Sequence, residues 1–276
     1  MEGRSLTTRV ISYVSSALRW STLATIGSSP VIKLTIIAPF LGYIVLYNEY
    51  VLSLLTLSPA SMGGTAVQSD AIVYTISKIN YLYFGLLLLG VASGLFSLFC
   101  PRDISKNKYV VDYIQYVMPV STDPLLRSYF HAILTLYQER CEETSQPLLK
   151  RVTSPYPEEI FGSAEVIAKH LYLDNDNDDS NESHAELYTG SGYFMVSELV
   201  SRALSGIRAY QYYYDMVMAG VSNYMKDILY TYHILVDHSY FLVRILISIL
   251  YLAGFMLLSV PTIETSYRLL RHWVFQ

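Results

Sequence analysis

Charge is what this chain has least of. Only 15% of its 276 residues are Asp, Glu, Lys or Arg, against roughly 25% in a soluble globular chain. With 52% of residues apolar, a wholly solvated globule is excluded. Cysteine is nearly missing as well. Cys100 and Cys141 are the only two, too few for a disulfide framework and too far apart in sequence for a CxxC metal or redox pair. The chain has no Walker phosphate loop, no GxGxxG turn, no HExxH helix and no GxSxG elbow, so the nucleotide, zinc-hydrolase and serine-hydrolase machineries have no sequence support. His131, His170 and His184 stand in unrelated contexts. The sequence therefore predicts no enzyme, no catalytic residue and no cofactor.

The charge that is present is unevenly placed. Residues 101–238 hold 19 of the 23 acids and 11 of the 19 bases, a formal charge of −8. An acidic domain repels phosphate backbones, which argues against nucleic acid as a partner.

The apolar residues, by contrast, are concentrated in runs. Residues 79–101 form 23 positions without a charge, and 31–57 and 240–261 approach the same length. About 20 apolar residues suffice for a helix to cross a bilayer. The predicted fold class is an all-α membrane protein with three transmembrane helices. Two form an N-terminal hairpin (31–57 and 79–100) and one lies near the C-terminus (239–262), with a helical domain, 101–238, inserted between them. Arg4, Arg9, Arg19 and Lys33 precede the first run and Arg102, Lys106 and Lys108 follow the second, while the loop between has only Lys78. Positive charge stays inside, which places residues 101–238 in the cytoplasm, at a bacterial inner membrane or, as the alternative, an organellar one. The tail, 263–276, reads as interfacial, although its Arg268 and Arg271 strain that topology. Residues 1–30 carry a helical apolar stripe through Leu6, Val10, Val14 and Leu18 and read as an amphipathic surface helix. A Ser- and Arg-rich targeting peptide is the competing reading.

Polar residues inside the apolar runs are the candidates for function there. Asn48 and Glu49 stand near the far end of the first, and Arg244 sits one turn into the third. An ionisable group at membrane depth is costly and so marks a pathway or a snorkelling anchor. Pro39 predicts a kink in the first run. Gly90 and Gly94 have the GxxxG spacing that lets two helices approach closely.

In the domain, Thr122 or Asp123 is expected to cap a helix with Pro124 in its first turn and a stripe of Leu125, Leu126, Tyr129, Phe130, Ile133, Leu134 and Tyr137. A short helix is expected over 163–173. A flexible acidic loop, 174–186, follows, in which Asp174, Asp176 and Asp178 resemble the opening of an EF-hand calcium loop. The sixth position is Asp179 instead of glycine, so no metal site is predicted. Tyr210, Tyr213, Tyr214 and Met218 form a sticky surface for a partner or part of the core. Absence of a strong breaker predicts one helix over 221–260, running from domain to membrane. Tyr224, Tyr230, Tyr232 and Tyr240 read as an interfacial belt. His233 and Asp237 share a helical face without a third ligand.

These features predict an oligomeric channel or pore-like assembly regulated through its cytoplasmic domain, since few spans per chain cannot enclose a path alone. The alternative is a membrane-anchored scaffold or sensor that recruits a cytoplasmic protein. By architecture alone either would suit a stress or antiviral-defence complex. The expected partners are the lipid bilayer, further copies of the chain and a cytoplasmic protein.

Overall fold

The computed structural model describes residues 13–27, 29, 68–145, 155–175 and 185–274. Among these every regular element is a helix, and the only β pairing is an isolated bridge between Tyr188 and Phe194. The chain divides into two compact units, Met1–Ser21 with Pro101–Phe241 and Thr22–Cys100 with Leu242–Gln276.

The first unit is the helical domain. Its helices are α3 (Arg102–Lys106), α4 (Val110–Val117), α5 (Asp123–Ser145), α6 (Glu158–Asn175), α7 (Val196–Leu204), α8 (Gln211–Met218) and α9 (Met225–Asp237), interleaved with short 3-10 turns. The second unit contains α2 (Gln68–Phe99) and α10 (Phe241–Val274), with the last turns of α1 (Trp20–Gly27).

Helix α5 starts where Asp123 and Pro124 direct it. The Leu126 amide donates to the Thr122 carbonyl at 3.0 Å, closing the first turn. Its expected stripe is buried through Leu126, Phe130, Ile133, Leu134 and Tyr137. Against that stripe pack α9, α6 and α7, while α8 covers α6 and α7 and α9 also reaches α4. Helix α6 is longer than the expected 163–173. It begins directly after Pro157, with Glu158 and Glu159 in the first turn, where carboxylates complement the helix dipole. It buries Ile160, Ala164, Ile167, Ala168 and Leu171 on one face. At its end the Asn175 amide donates to the Leu171, Met216 and Ala219 carbonyls at 2.7, 3.3 and 3.0 Å, joining the ends of α6 and α8.

The single helix expected over 221–260 is broken. Helix α9 stops at Asp237, Tyr240 takes a left-handed backbone (φ 50°), and α10 begins at Phe241. The side chains at the break explain it. His238 Nδ1–H donates to the Ile234 carbonyl at 2.9 Å and Ser239 Oγ–H to the Val236 carbonyl at 2.7 Å. The Val236 carbonyl also accepts from the Ser239 amide at 3.1 Å and is thereby taken from the residue 240 amide of a continuing helix. The Ile234 carbonyl keeps its regular bond from the His238 amide at 3.2 Å.

In the second unit, α2 and α10 run antiparallel. A Cβ placed on Gly85 would lie 2.8 Å from Leu258 Cγ and 3.1 Å from the Gly254 carbonyl oxygen, and one on Gly254 would lie 2.8 Å from Leu89 and 3.0 Å from the Gly85 carbonyl oxygen. Two backbones meet at this crossing, as small residues allow. Helix α10 does not end at Pro261 but runs through it to Val274, so residues 262–274 are helical instead of a separate tail.

Candidate partner surface and membrane-facing helices

Among the described residues, two helices are long and apolar enough to cross a membrane, over Asn80–Phe99 and Phe241–Pro261. Their 20 and 21 residues rise about 30 Å at 1.5 Å per residue, the thickness of a bilayer core. Along α10 the exposed positions are Leu242, Leu246, Ile249, Leu252, Phe255 and Met256, recurring every three or four residues on one stripe. Arg244, Ser248 and Tyr251 do not share that stripe, while Ser259 is exposed at its continuation beyond Met256. Arg244 is wholly buried, and Tyr251 and Ser93 are nearly so. Ser248 and Ser259 each return their hydroxyl to their own helix, at 2.7 and 2.8 Å from the Arg244 and Phe255 carbonyls.

Arg244, which the sequence offered as either a pathway group or a snorkelling anchor, is enclosed by protein. Glu49, Asn48 and Pro39 lie outside the described residues. Gly90 is half-buried, and a Cβ on Gly94 would meet no atom of the described residues within 4 Å. The observed close approach uses Gly85 and Gly254, which no local spacing pairs, because they lie on helices far apart in sequence.

The tyrosine-rich segment of the domain divides by depth. Met218 and Val217 are core, and Tyr213 and Tyr214 pack against it, so Met218 cannot present itself to a partner. Tyr212 is exposed, as are Tyr188, Tyr193 and Ile207 nearby in the chain. These exposed rings are rooted in a ladder. Tyr172 stacks on Tyr213 with centroids 6.2 Å apart and touches Phe194 at 5.7 Å, Phe194 meets Tyr188 edge-on at 5.3 Å, and Tyr212 meets Tyr213 edge-on at 5.8 Å. Arg202, which no motif singled out, organises this face. Its guanidinium lies 5.5 Å from the Tyr210 ring and 5.7 Å from the Tyr213 ring while bonding Glu198 at 2.8 Å and also Glu186. The two glutamates raise its already high pKa, so the cation is permanent. Comparison with protein families, curated proteins and solved structures finds no match. Only the site's own chemistry bears on what it does.

The tyrosines expected as an interfacial belt instead belong to the domain. Tyr224 donates to Asp174 at 2.8 Å, Tyr230 to Glu159 at 2.6 Å, and Tyr232 stacks on Tyr129 with ring centroids 3.9 Å apart. Tyr230 and Tyr232 sit on α9 and Tyr224 at the turn before it; α9 packs on α5 and α6, and the chain breaks before α10. Tyr240, exposed at that break, is the remaining member. Burial, with Tyr129 and Asp103 nearby, pushes the Tyr232 hydroxyl up to about 12. The Tyr113 hydroxyl is pushed higher still by burial and by Tyr129.

His233 and Asp237 are also structural. His233 is buried, with Nε2–H donating to the Asn107 carbonyl at 3.2 Å and its ring 5.0 Å from that of Tyr113. Asp237 accepts from the Ser21 amide at 2.7 Å and the Ser21 hydroxyl at 2.8 Å. It thus caps α1 from another element. The Trp20 indole donates to the Ser239 carbonyl at 3.0 Å, and Ser15 donates to the Pro155 carbonyl. Residues 13–21 consequently pack on the domain, with Ser15 and Trp20 buried and Tyr13 and Ala17 exposed. Of the apolar stripe expected over residues 1–30, Leu6 and Val10 lie outside the described residues, and Val14 and Leu18 are half-buried. Of the calcium candidates, Asp174 is engaged by Tyr224 and Asp176 and Asp178 lie outside the described residues. Among the described residues no group of three His, Cys, Asp or Glu is placed to hold a metal.

Proposed function

We propose that this protein is a membrane-anchored helical domain that recruits a partner protein through its aromatic face, its spans serving as an anchor. The observation that carries this reading is the chemistry of the outward stripe of α10, which is apolar at every exposed position from Leu242 to Met256. Such a stripe suits lipid tails and offers nothing to a hydrated ion. The recruiting surface is assigned to Tyr188, Tyr193, Ile207 and Tyr212 around Arg202. Rigid aromatics with an arginine are the residues that dominate protein interfaces, and here the ladder beneath holds Tyr188 and Tyr212 in place before a partner arrives.

Three spans, with residues 31–57 as the first, are part of the proposal. Residues 13–21 bond to the domain, while α2 enters the domain at its C-terminal end. Residues 21 and 101 both belong to the domain's unit, so a crossing by α2 requires a second crossing between residues 22 and 67. The bases after α2, Arg102, Lys106 and Lys108, favour the cytoplasm for the domain's side. A photoreactive amino acid at Tyr212, in cells, tests the surface. The account predicts one discrete crosslinked species that Arg202→Ala removes, whereas the same label at exposed Val166 gives none. Identical patterns at both positions would refute it.

The second reading is the oligomeric channel. Enclosed Arg244 favours it, because intramembrane cations often line paths. For that reading Glu49→Gln alters ion flux.

A further inference from the structure

We propose that the segment 102–120 of the helical domain docks on the headgroup region of an anionic bilayer, an inference that rests on α2 and α10 being membrane spans. The observations are of three kinds. First, α4 buries only one side, through Tyr113 and Val117, and leaves a cluster of large apolar residues in water. Tyr109, Val111, Tyr116 and Val120 are each 60% exposed or more, and Met118 is exposed beside them. Five apolar side chains within twelve residues exceed the isolated exposures normal at a surface.

Second, this cluster begins ten residues after Phe99, the end of the apolar run of α2. Ten residues reach at most about 35 Å and far less through the turn of α3, so the cluster stays close to the bilayer plane. Tyrosine is a residue that favours that depth.

Third, charge singles out this stretch. Residues 101–120 carry three bases and two acids, whereas 121–238 carry eight bases and seventeen acids. The remainder of the domain is repelled by anionic headgroups; Arg102 and Lys106, both exposed, are attracted to them. Ile104, wholly buried, pins α3 to the domain between these two bases. The segment has the composition of an interfacial contact, basic residues beside exposed aromatic and aliphatic ones.

The test places a single environment-sensitive fluorophore on the full chain with Cys100→Ala and Cys141→Ala, at Val111→Cys, Val120→Cys, Ile249→Cys or Val166→Cys. The probes are nanodiscs of phosphatidylcholine with or without phosphatidylglycerol. The expected result is loss of iodide quenching at 111 and 120 in discs containing phosphatidylglycerol, partial return of quenching in phosphatidylcholine alone, and full quenching at 166 in both. Arg102→Glu with Lys106→Glu restores quenching at 120 while leaving 249 protected. Protection at 249 with full quenching at 111 and 120 would overturn the docking and leave the anchor standing. Quenching at 249 would overturn the anchor itself. Protection at 120 that ignores lipid charge but rises with the number of chains per disc would assign the surface to a second copy and overturn the proposal.

Discussion

At the scale of single residues, the most consequential side chain is Asp237, which the sequence placed on one helical face with His233. Asp237 is buried and spends both carboxylate oxygens on Ser21. Asp237→Ala strands a helix-start amide and a hydroxyl away from water and is expected to cost about 1–2 kcal/mol, read as a fall in the denaturation midpoint. Asp237→Asn, which keeps one acceptor, loses less. Tyrosine ionisation gives a second residue-scale expectation. Tyr232 rises from an ordinary value of 10 to about 12 through burial, and Tyr113, Tyr129 and Tyr137 rise by the same cause. Folding therefore holds their protons more tightly than the unfolded chain does, so their contribution to stability is intact below pH 10. It is lost as the pH climbs through 10 to 12. Melting temperature should fall across that window, with the share of tyrosinate absorbance that belongs to the buried rings appearing together with unfolding. Fully developed tyrosinate absorbance in a still-folded domain would contradict it.

At the scale of helices, the sequence was most informative where period alone decides. The α5 stripe from Leu126 to Tyr137 is buried as its spacing requires, because five apolar residues on one face leave no other stable arrangement. It was least informative where a tertiary partner decides. The Gly90 and Gly94 spacing is visible, but the backbone contact belongs to Gly85 and Gly254, a pairing across more than 150 residues that no window can see. Gly85→Ala and Gly254→Ala each drive a methyl into a facing carbonyl at about 3 Å, so the helices have to separate. A loss of about 1–3 kcal/mol is expected for either, against little change for Gly94→Ala, measured as thermal stability in detergent. The break at 238–240 was equally hidden, since apolar periodicity continues across it and the cause is local: His238 and Ser239 turn back on the last carbonyls of α9. Arg202 had no signal of its own either, because its rings and its carboxylates come from different elements.

At the scale of the molecule, what composition could say was coarse but sound: an all-helical chain with helices fit to cross a membrane and a separately packed acidic portion. Function was not legible because the proposed reading does not rest on a motif. It rests on which faces are left uncovered, the aliphatic stripe of α10, the aromatic face around Arg202 and the apolar edge at 109–120, and burial is a property of the folded chain. The proposal built on these faces is a domain held at a bilayer and presenting an aromatic surface, with the spans as passive support. The most direct test of that claim is ion flux through liposomes reconstituted with the full chain, compared with empty vesicles and with Glu49→Gln. The account predicts no flux above empty vesicles and no effect of the substitution. Protein-dependent flux that changes with Glu49→Gln would contradict it and make the spans the working part.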